Sequence, residues 1–219
     1  MKAVMPKIKK EWCDQILVSD GGSTDGTVEY AREQGYFVHC QKRLGLRHAY
    51  SEALPYIEGD VMITFSPDGN CIPDDIPRLI EKMREGYDMV IASRYLNMAA
   101  SEDDTLVTGF GNWLFTGTVN FLYGAKYTDA MVIYRAYKTR LFSELDLDKD
   151  EGYAMPERLF FTVLGIEPLL SVRAVKRRLK IGEIPSDEPP RIGGDAKLQV
   201  LRWGAGYYFQ FWRELLFWK

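Results

Sequence analysis

The sequence predicts an α/β protein built on a mainly parallel sheet flanked by helices. Short apolar runs alternate with stretches of helical periodicity through the first half of the chain, which is the pattern of successive βαβ units. The connecting stretches are long enough to cross over a sheet, so neighbouring strands run the same way. Three of the apolar runs end in loops of unusual composition, where open α/β sheets place their ligands.

The elements follow in order. Gln15-Ile16-Leu17-Val18-Ser19 reads as a buried strand, Asp25 to Gln34 as a helix and Tyr36 to Cys40 as a second strand. Leu46, Ala49, Tyr50, Ala53, Leu54 and Ile57 recur at helical spacing before a strand at Val61 to Phe65. Ile76, Leu79, Ile80 and Met83 mark the next helix, followed by a strand at Met89 to Ala92. Beyond these the alternation weakens, with helical patterns at Asn112 to Leu122 and Pro156 to Leu164 and a strand at Met131 to Tyr134. Met1 to Trp12 reads as a helix.

The tail differs in kind. Leu198, Leu201, Ala205, Tyr208, Phe209, Trp212 and Leu215 follow helical spacing, and Trp203, Tyr207, Phe211, Phe217 and Trp218 add aromatics on other faces. Such a helix needs cover. The chain is accordingly divided into a main domain, 1–194, and an aromatic C-terminal helix, 195–219. Packing or self-association ranks ahead of membrane contact as the cover. The basic run Lys176-Arg177-Arg178-Leu179-Lys180 suits either a solvated face or an anionic membrane surface.

With 219 residues, 46% hydrophobic and 27% charged, the chain can bury one sizeable core. Its net charge of -3 and pI near 5.6 give no global attraction to nucleic acid, so phosphate recognition must be local. Cys13, Cys40 and Cys71 are odd in number and widely spaced, which argues against a disulfide framework or a structural zinc site. No signal peptide or long apolar run is present, and a cytoplasmic placement, peripheral at the membrane at most, is expected. His39 and His48 have no ligand spacing around them and receive no role.

The first loop, Asp20-Gly21-Gly22-Ser23-Thr24-Asp25-Gly26-Thr27, joins a strand to a helix. Its glycines let the backbone approach a ligand, and the Asp20 carboxylate suits a nucleobase or ribose; an Asp-Gly turn with a helix cap is the alternative. The second, Ser66-Pro67-Asp68-Gly69-Asn70, offers a carboxylate and an amide carbonyl to a hard divalent cation, or simply makes a turn. The third stretch ends the Met89 strand in Ser93-Arg94-Tyr95.

In their order these segments resemble family 2 glycosyltransferases of the GT-A, nucleotide-diphospho-sugar transferase fold, and most of all the polyprenyl-phosphate (dolichol-phosphate) sugar transferases. The first loop is similar to the family's D-D-G-S-x-D-x-T and the second to its D-A-D-x-Q-x-x-P, with Gly21 and Ser66 replacing aspartates. Asp129 to Tyr137 resembles D-x-x-x-G-F-R-A-F. Arg191-Ile192-Gly193-Gly194-Asp195-Ala196-Lys197-Leu198 resembles R-x-G-G-x-S-K-L, with Ala196 for the serine.

The resemblance implies nucleotide binding by Asp20, Gly22 and Asp68, and a Mg²⁺ or Mn²⁺ ion held by Asp68 and Asn70. It places Arg94, Arg135, Arg191 and Lys197 on phosphate or acceptor, with Asp68, Arg94 and Asp129 as the catalytic set. The implied reaction is an inverting transfer from a UDP- or GDP-sugar to a polyprenyl phosphate, or to a saccharide with Asp129 or Glu157 as base. Family members begin with a further strand, and Met1 to Trp12 looks like the helix that follows it; its absence would leave a sheet edge open. A transferase-like module that binds nucleotide or assembles with a partner without turnover is the second reading.

Overall fold

The computed structural model describes residues 1–192 and 200–218. Its strands are β1 (Leu17–Asp20), β2 (Phe37–Cys40), β3 (Val61–Thr64), β4 (Met89–Ser93), β5 (Arg135–Lys138) and β6 (Ile181–Pro185). Its helices are α1 (Thr27–Glu33), α2 (Leu46–Ala53), α3 (Asp75–Arg84), α4 (Leu106–Tyr123), α5 (Leu141–Glu144), α6 (Ala154–Phe160), α7 (Glu167–Lys176) and α8 (Val200–Phe217).

The strands form two sheets. β1 and β2 pair in parallel, and the larger sheet has the order β3-β5-β4-β6, in which β4 and β6 are parallel while β5 runs antiparallel to both its neighbours. Among the described residues β1 bonds only to β2. Its Leu17, Val18 and Ser19 are accordingly half-buried rather than buried as expected; Asp20 alone is fully inside. β4 meets the expectation of a core strand: Met89, Val90 and Ile91 are wholly inaccessible, with Ile76, Leu79 and Met83 of α3 also in the core.

Three local readings are corrected. Residues 1–12 form two short 3-10 turns, Met5–Lys7 and Lys10–Trp12, instead of a helix. Ile8 and Lys9 are extended between them, and a segment this short does not sustain a helix without tertiary support. The strand expected at 131–134 begins instead at Arg135, because the preceding backbone is engaged elsewhere. Met131 and Val132 donate N–H bonds to the Asp129 carboxylate at 3.2 Å, and the Val132 carbonyl accepts from Arg135 Nε at 2.9 Å. Finally, the helical pattern at 156–164 resolves into α6, ending at a left-handed Phe161 with φ 52°, and a separate α7 that sequence periodicity missed. α7 is buried from Glu167 to Ala174, so it shows no polar stripe to mark its period.

The aromatic tail is part of the packed body. α8 lies against α4, α6 and α7 and buries Gln210, Phe211 and Glu214, and Trp218 just beyond it is buried too. Glu214 receives Arg173 side-on, Nε to Oε2 at 2.8 Å and Nη2 to Oε1 at 3.2 Å, and Arg173 also donates to the Leu145 and Asp146 carbonyls. The basic run is partly structural: Lys176 donates to the carbonyls of Glu214 and Trp218, completing the last turn of α8, where the helix dipole favours a cation. Lys180 donates to the Glu85 carbonyl at 2.9 Å.

α4 has the reverse arrangement of a normal surface helix. Thr116 and Val119 face inward, while Leu106 (95% exposed), Phe110, Trp113 (70%) and Phe121 (86%) face out at helical spacing. The helix holds no Asp, Glu, Lys, Arg or His. No described helix is long and apolar enough to cross a membrane.

Candidate active site

The ends of β3 and β4, the segment before α4 and the segment after β6 converge on one cavity of about 960 Å³. Among the described residues its polar wall carries Asp68, Asp103, Asp104, Glu167, Asp187 and Glu188 against Arg94 and Arg191, six carboxyl groups to two guanidinium groups. Its other wall is apolar, with Val107 and Phe115 of α4, Phe161 and Val163 after α6, and Trp203 of α8. An anion entering such a space needs additional positive charge.

Asp68 sits in the loop after β3. Gly69, with φ +109°, makes the turn, and Ile192 lies 2.6 Å from where a Cβ on that glycine would stand, so the backbone of this loop is closely covered. The Ile192 N–H donates to the Asp68 carbonyl at 2.8 Å, and Arg191 Nη1 reaches Asp68 Oδ2 at 3.2 Å. Arg191 Nε also donates to Asp103 Oδ2 at 2.9 Å. Asp68 and Arg191, both expected at the site, therefore meet there; Asp103, from the acidic run before α4, was not anticipated. Lys197 lies outside the described residues.

Asn70 is buried, and its amide nitrogen donates to Glu188 Oε1 at 3.2 Å while its oxygen faces the Cys71 thiol at 3.7 Å. The carbonyl expected to join Asp68 on a cation is thus engaged with Cys71, a group whose pKa burial pushes up to about 12. Glu188 binds three loops together: it accepts from Asn70, from Arg94 Nη1 at 3.1 Å and from the Ser101 hydroxyl. It follows β6, and nothing in its Pro-flanked surroundings marked it in the sequence.

Arg94 lines the cavity, but its charge is spent internally. Nε and Nη2 engage the two oxygens of Asp129, and Nη1 engages Glu188. Asp129 is fully buried and accepts from the Met131 and Val132 N–H groups as well. Burial opposes its ionisation, yet the Arg94 charge and these hydrogen bonds outweigh burial and hold the carboxyl below its usual range. Both Asp129 oxygens are thus engaged within the protein, by Arg94 and by backbone N–H groups. Glu157 is similarly engaged, with Arg47 Nη2 at 2.9 Å from Oε2 and the Leu164 N–H at 2.9 Å from Oε1.

Arg135 does not reach the cavity. It is wholly buried, donating to the Val132 and Ala130 carbonyls and to Ser171 Oγ at 3.0 Å, so it supports the loop after Asp129 from beneath. Asp20 and Gly22 contribute nothing to the cavity wall either. Asp20 Oδ2 accepts the N–H groups of Gly22 at 2.8 Å and Ser23 at 3.0 Å, and Asp25 caps Thr27 at 3.1 Å, as in the turn-and-cap alternative. Burial acts against the Asp20 charge, but the bonds from Ser23 and Gly22 prevail and lower its pKa.

Glu167, at the start of α7, is the other unanticipated group. It lines the cavity, one carboxyl oxygen has no partner among the described residues, and burial raises its pKa against the opposing charge of Arg135.

The family model for "Glycosyl transferase family 2" matches residues 13–146. The chain belongs to this family. Among curated relatives, glycosyltransferase AglJ of Haloferax volcanii is 29% identical over 213 residues, covering 96% of this chain and 66% of that protein. The undecaprenyl-phosphate mannosyltransferase of Micrococcus luteus is 27% identical over 201 residues, covering 86% and 82%. A dolichyl-phosphate hexose transferase of Haloferax volcanii is 28% identical over 189 residues, covering 86% and 76%. Among solved structures, glucosyl-3-phosphoglycerate synthase of Mycobacterium tuberculosis superposes with a TM-score of 0.57 at 18% identity, over 95% of this chain and 73% of that one. This likeness identifies the fold as GT-A.

Proposed function

We propose that this glycosyltransferase moves a hexosyl group, with inversion, from a UDP- or GDP-sugar to a polyprenyl phosphate. The observation that carries the reading is the division of one cavity into a charged wall at Asp68 and Arg191 and an apolar wall at α4, the segment after α6, and α8. A nucleoside diphosphate sugar suits the first; the phosphate end of an isoprenoid lipid can reach it along the second. The relatives whose names specify undecaprenyl or dolichyl phosphate support the acceptor class.

The synthase with the similar fold is crystallised with Mn²⁺ and UDP. The residues here fit such a cation, because the cavity has a surplus of hard carboxylate oxygens that would otherwise repel a diphosphate. Asp68 would hold Mg²⁺ or Mn²⁺, which supplies charge stabilisation to the departing diphosphate. Among the described residues no group of three or more His, Cys, Asp or Glu forms a complete cage, so Asp68 would share such a cation with oxygens from outside the protein. Arg191, beside Asp68, would meet the leaving group. A lipid phosphate is already anionic and needs no base, in keeping with the internal engagement of Asp129 and Glu157.

The exposed stripe of α4 and Phe161 beside the apolar wall give this acceptor a lipid surface to approach from, which makes the protein peripheral to a membrane. A binding module without turnover is the second reading, favoured by the absence of the Asp20 loop from the cavity wall. The experiment is thermal stability with UDP, GDP and their sugar conjugates, in Mn²⁺ and in EDTA, followed by transfer to polyprenyl phosphate. A ligand at a hundred times its Kd adds about 2.7 kcal/mol to the folded state. Stabilisation without transfer supports the module; neither effect with any nucleotide overturns both readings.

A further inference from the structure

This inference rests on the nucleotide-sugar reading and concerns how its cation is held. Ser66 supplies no carboxylate to the loop of Asp68, and the Asn70 amide is engaged by Glu188. The carboxylate that shares a positive charge with Asp68 comes instead from another part of the chain. The Arg191 guanidinium lies between Asp68 Oδ2, 3.2 Å from Nη1, and Asp103 Oδ2, 2.9 Å from Nε.

The surrounding backbone fixes this arrangement. Ile192 is bonded to the Asp68 carbonyl at 2.8 Å, the Glu188 N–H donates to the Ala100 carbonyl at 2.9 Å, and the Glu102 N–H donates to the Glu188 carbonyl at 2.8 Å. The segment after β6 is thereby stitched to both carboxylate-bearing loops. Each of the three charged side chains keeps about a quarter of its surface accessible, 24% for Asp68, 23% for Asp103 and 29% for Arg191, so solutes can reach them.

We propose that Asp68 and Asp103 are the paired carboxylates for the divalent cation, and that Arg191 is the internal cation holding the pair until the metal displaces it. Two carboxylates facing one space repel unless a positive charge lies between them. A divalent ion brings twice the charge of a guanidinium and shorter contacts to oxygen. Its entry frees Arg191 at the edge of the same cavity, where the guanidinium can pair with a diphosphate. The exchange moves an ion pair and alters no covalent bond.

The test uses Mn²⁺ alone, titrated into the full chain without nucleotide, with free Mn²⁺ read by electron paramagnetic resonance and folding checked by circular dichroism. Asp103→Asn and Asp68→Asn should each weaken Mn²⁺ binding about tenfold or more. Arg191→Gln should tighten it about fivefold, the scale of one partly exposed ion pair removed from competition. Glu102→Gln, next to Asp103, should leave it unchanged. Unchanged affinity in Asp103→Asn, or unchanged or weaker affinity in Arg191→Gln, overturns the proposal, as does the absence of Mn²⁺ binding in the parent and Arg191→Gln alike. The Arg191 variant keeps the test decisive if Asp103→Asn fails to fold. UDP or GDP stabilisation in a protein whose Mn²⁺ affinity ignores Asp103 retains the transferase reading and removes the pair; the expected Mn²⁺ pattern with no response to any nucleotide does the reverse.

Discussion

Arg94 lies side-on against Asp129, with Nε 2.7 Å from Oδ2 and Nη2 3.1 Å from Oδ1, in a place where Asp129 has no exposed surface. The pair ties the end of β4 to the loop before β5, and that loop forms part of the cavity wall through Met131 and Val132. Neutralising Asp129 leaves the buried Arg94 with Glu188 as its carboxylate partner, so Asp129→Asn should lower stability by about 3 kcal/mol in urea unfolding. The pH dependence has a definite sign. Because the native carboxyl lies below its unfolded value of about 3.9, the pairing adds stability above that pH and loses it as pH falls through the native value. The variant should therefore show a flatter acid limb. Equal acid sensitivity in parent and variant would contradict this account.

Glu167 behaves in the opposite sense. Its pKa is raised by burial, so its favourable contribution is complete below the unfolded value of about 4.3 and is lost as pH rises through the native one. An ionised carboxylate with an unpartnered buried oxygen costs about 1–3 kcal/mol. Glu167→Gln should gain about 1 kcal/mol or more over the parent when both are compared at pH 7.5 rather than pH 4.5. A urea midpoint difference that does not change between the two pH values would refute the assignment.

These two residues also show what the sequence could and could not reveal. Asp129 was visible as part of a recurring segment, but its partner could not be read, because Arg94 lies 35 positions away and only folding makes them neighbours. Asp68 and Arg191 were found by local motif, and the structure brings them together. Asp103 and Glu188 were missed because their importance comes from convergence of loops, and their own surroundings read as ordinary acidic surface. Short apolar runs bounded by turn residues located β2, β3 and β4, and helical spacing of apolar residues located the tail helix. The same reading missed α7, where burial on every side erases the period, and misplaced the start of β5, where Asp129 and Arg135 take the backbone groups that a strand would use.

The outward face of α4 yields a prediction for lipid binding. Phe110 and Trp113 project 61% and 70% exposed from a helix without charges, their rings 5.7 Å apart. Burying one such side chain in an apolar phase gains about 1.5–3 kcal/mol, so Phe110→Ser with Trp113→Ser should weaken sedimentation with phospholipid vesicles by about tenfold or more. The fold should be little affected, because neither ring belongs to the core. Undiminished vesicle binding would remove α4 from the membrane-facing surface and leave the apolar wall of the cavity as an acceptor channel only.

Trp218 tests whether the aromatic tail belongs to the body of the protein. It is 9% exposed, its indole N–H donates to Asp146 Oδ2 at 3.0 Å, and Arg173, Lys176 and Arg177 surround its ring at 4.9, 5.6 and 5.0 Å from the centroid. The ring thus covers the buried Arg173–Glu214 pair and gives three cations a common π face. Trp218→Ala opens a cavity and admits water to that pair, and should cost about 3 kcal/mol or more. Since α8 also buries Phe211 against the main core, the loss should appear as an earlier midpoint of a single transition with tryptophan fluorescence and circular dichroism superimposed. A separate early transition confined to fluorescence, with the main one unmoved, would mean that the tail unfolds independently and that its ion pair adds nothing to the stability of the glycosyltransferase fold.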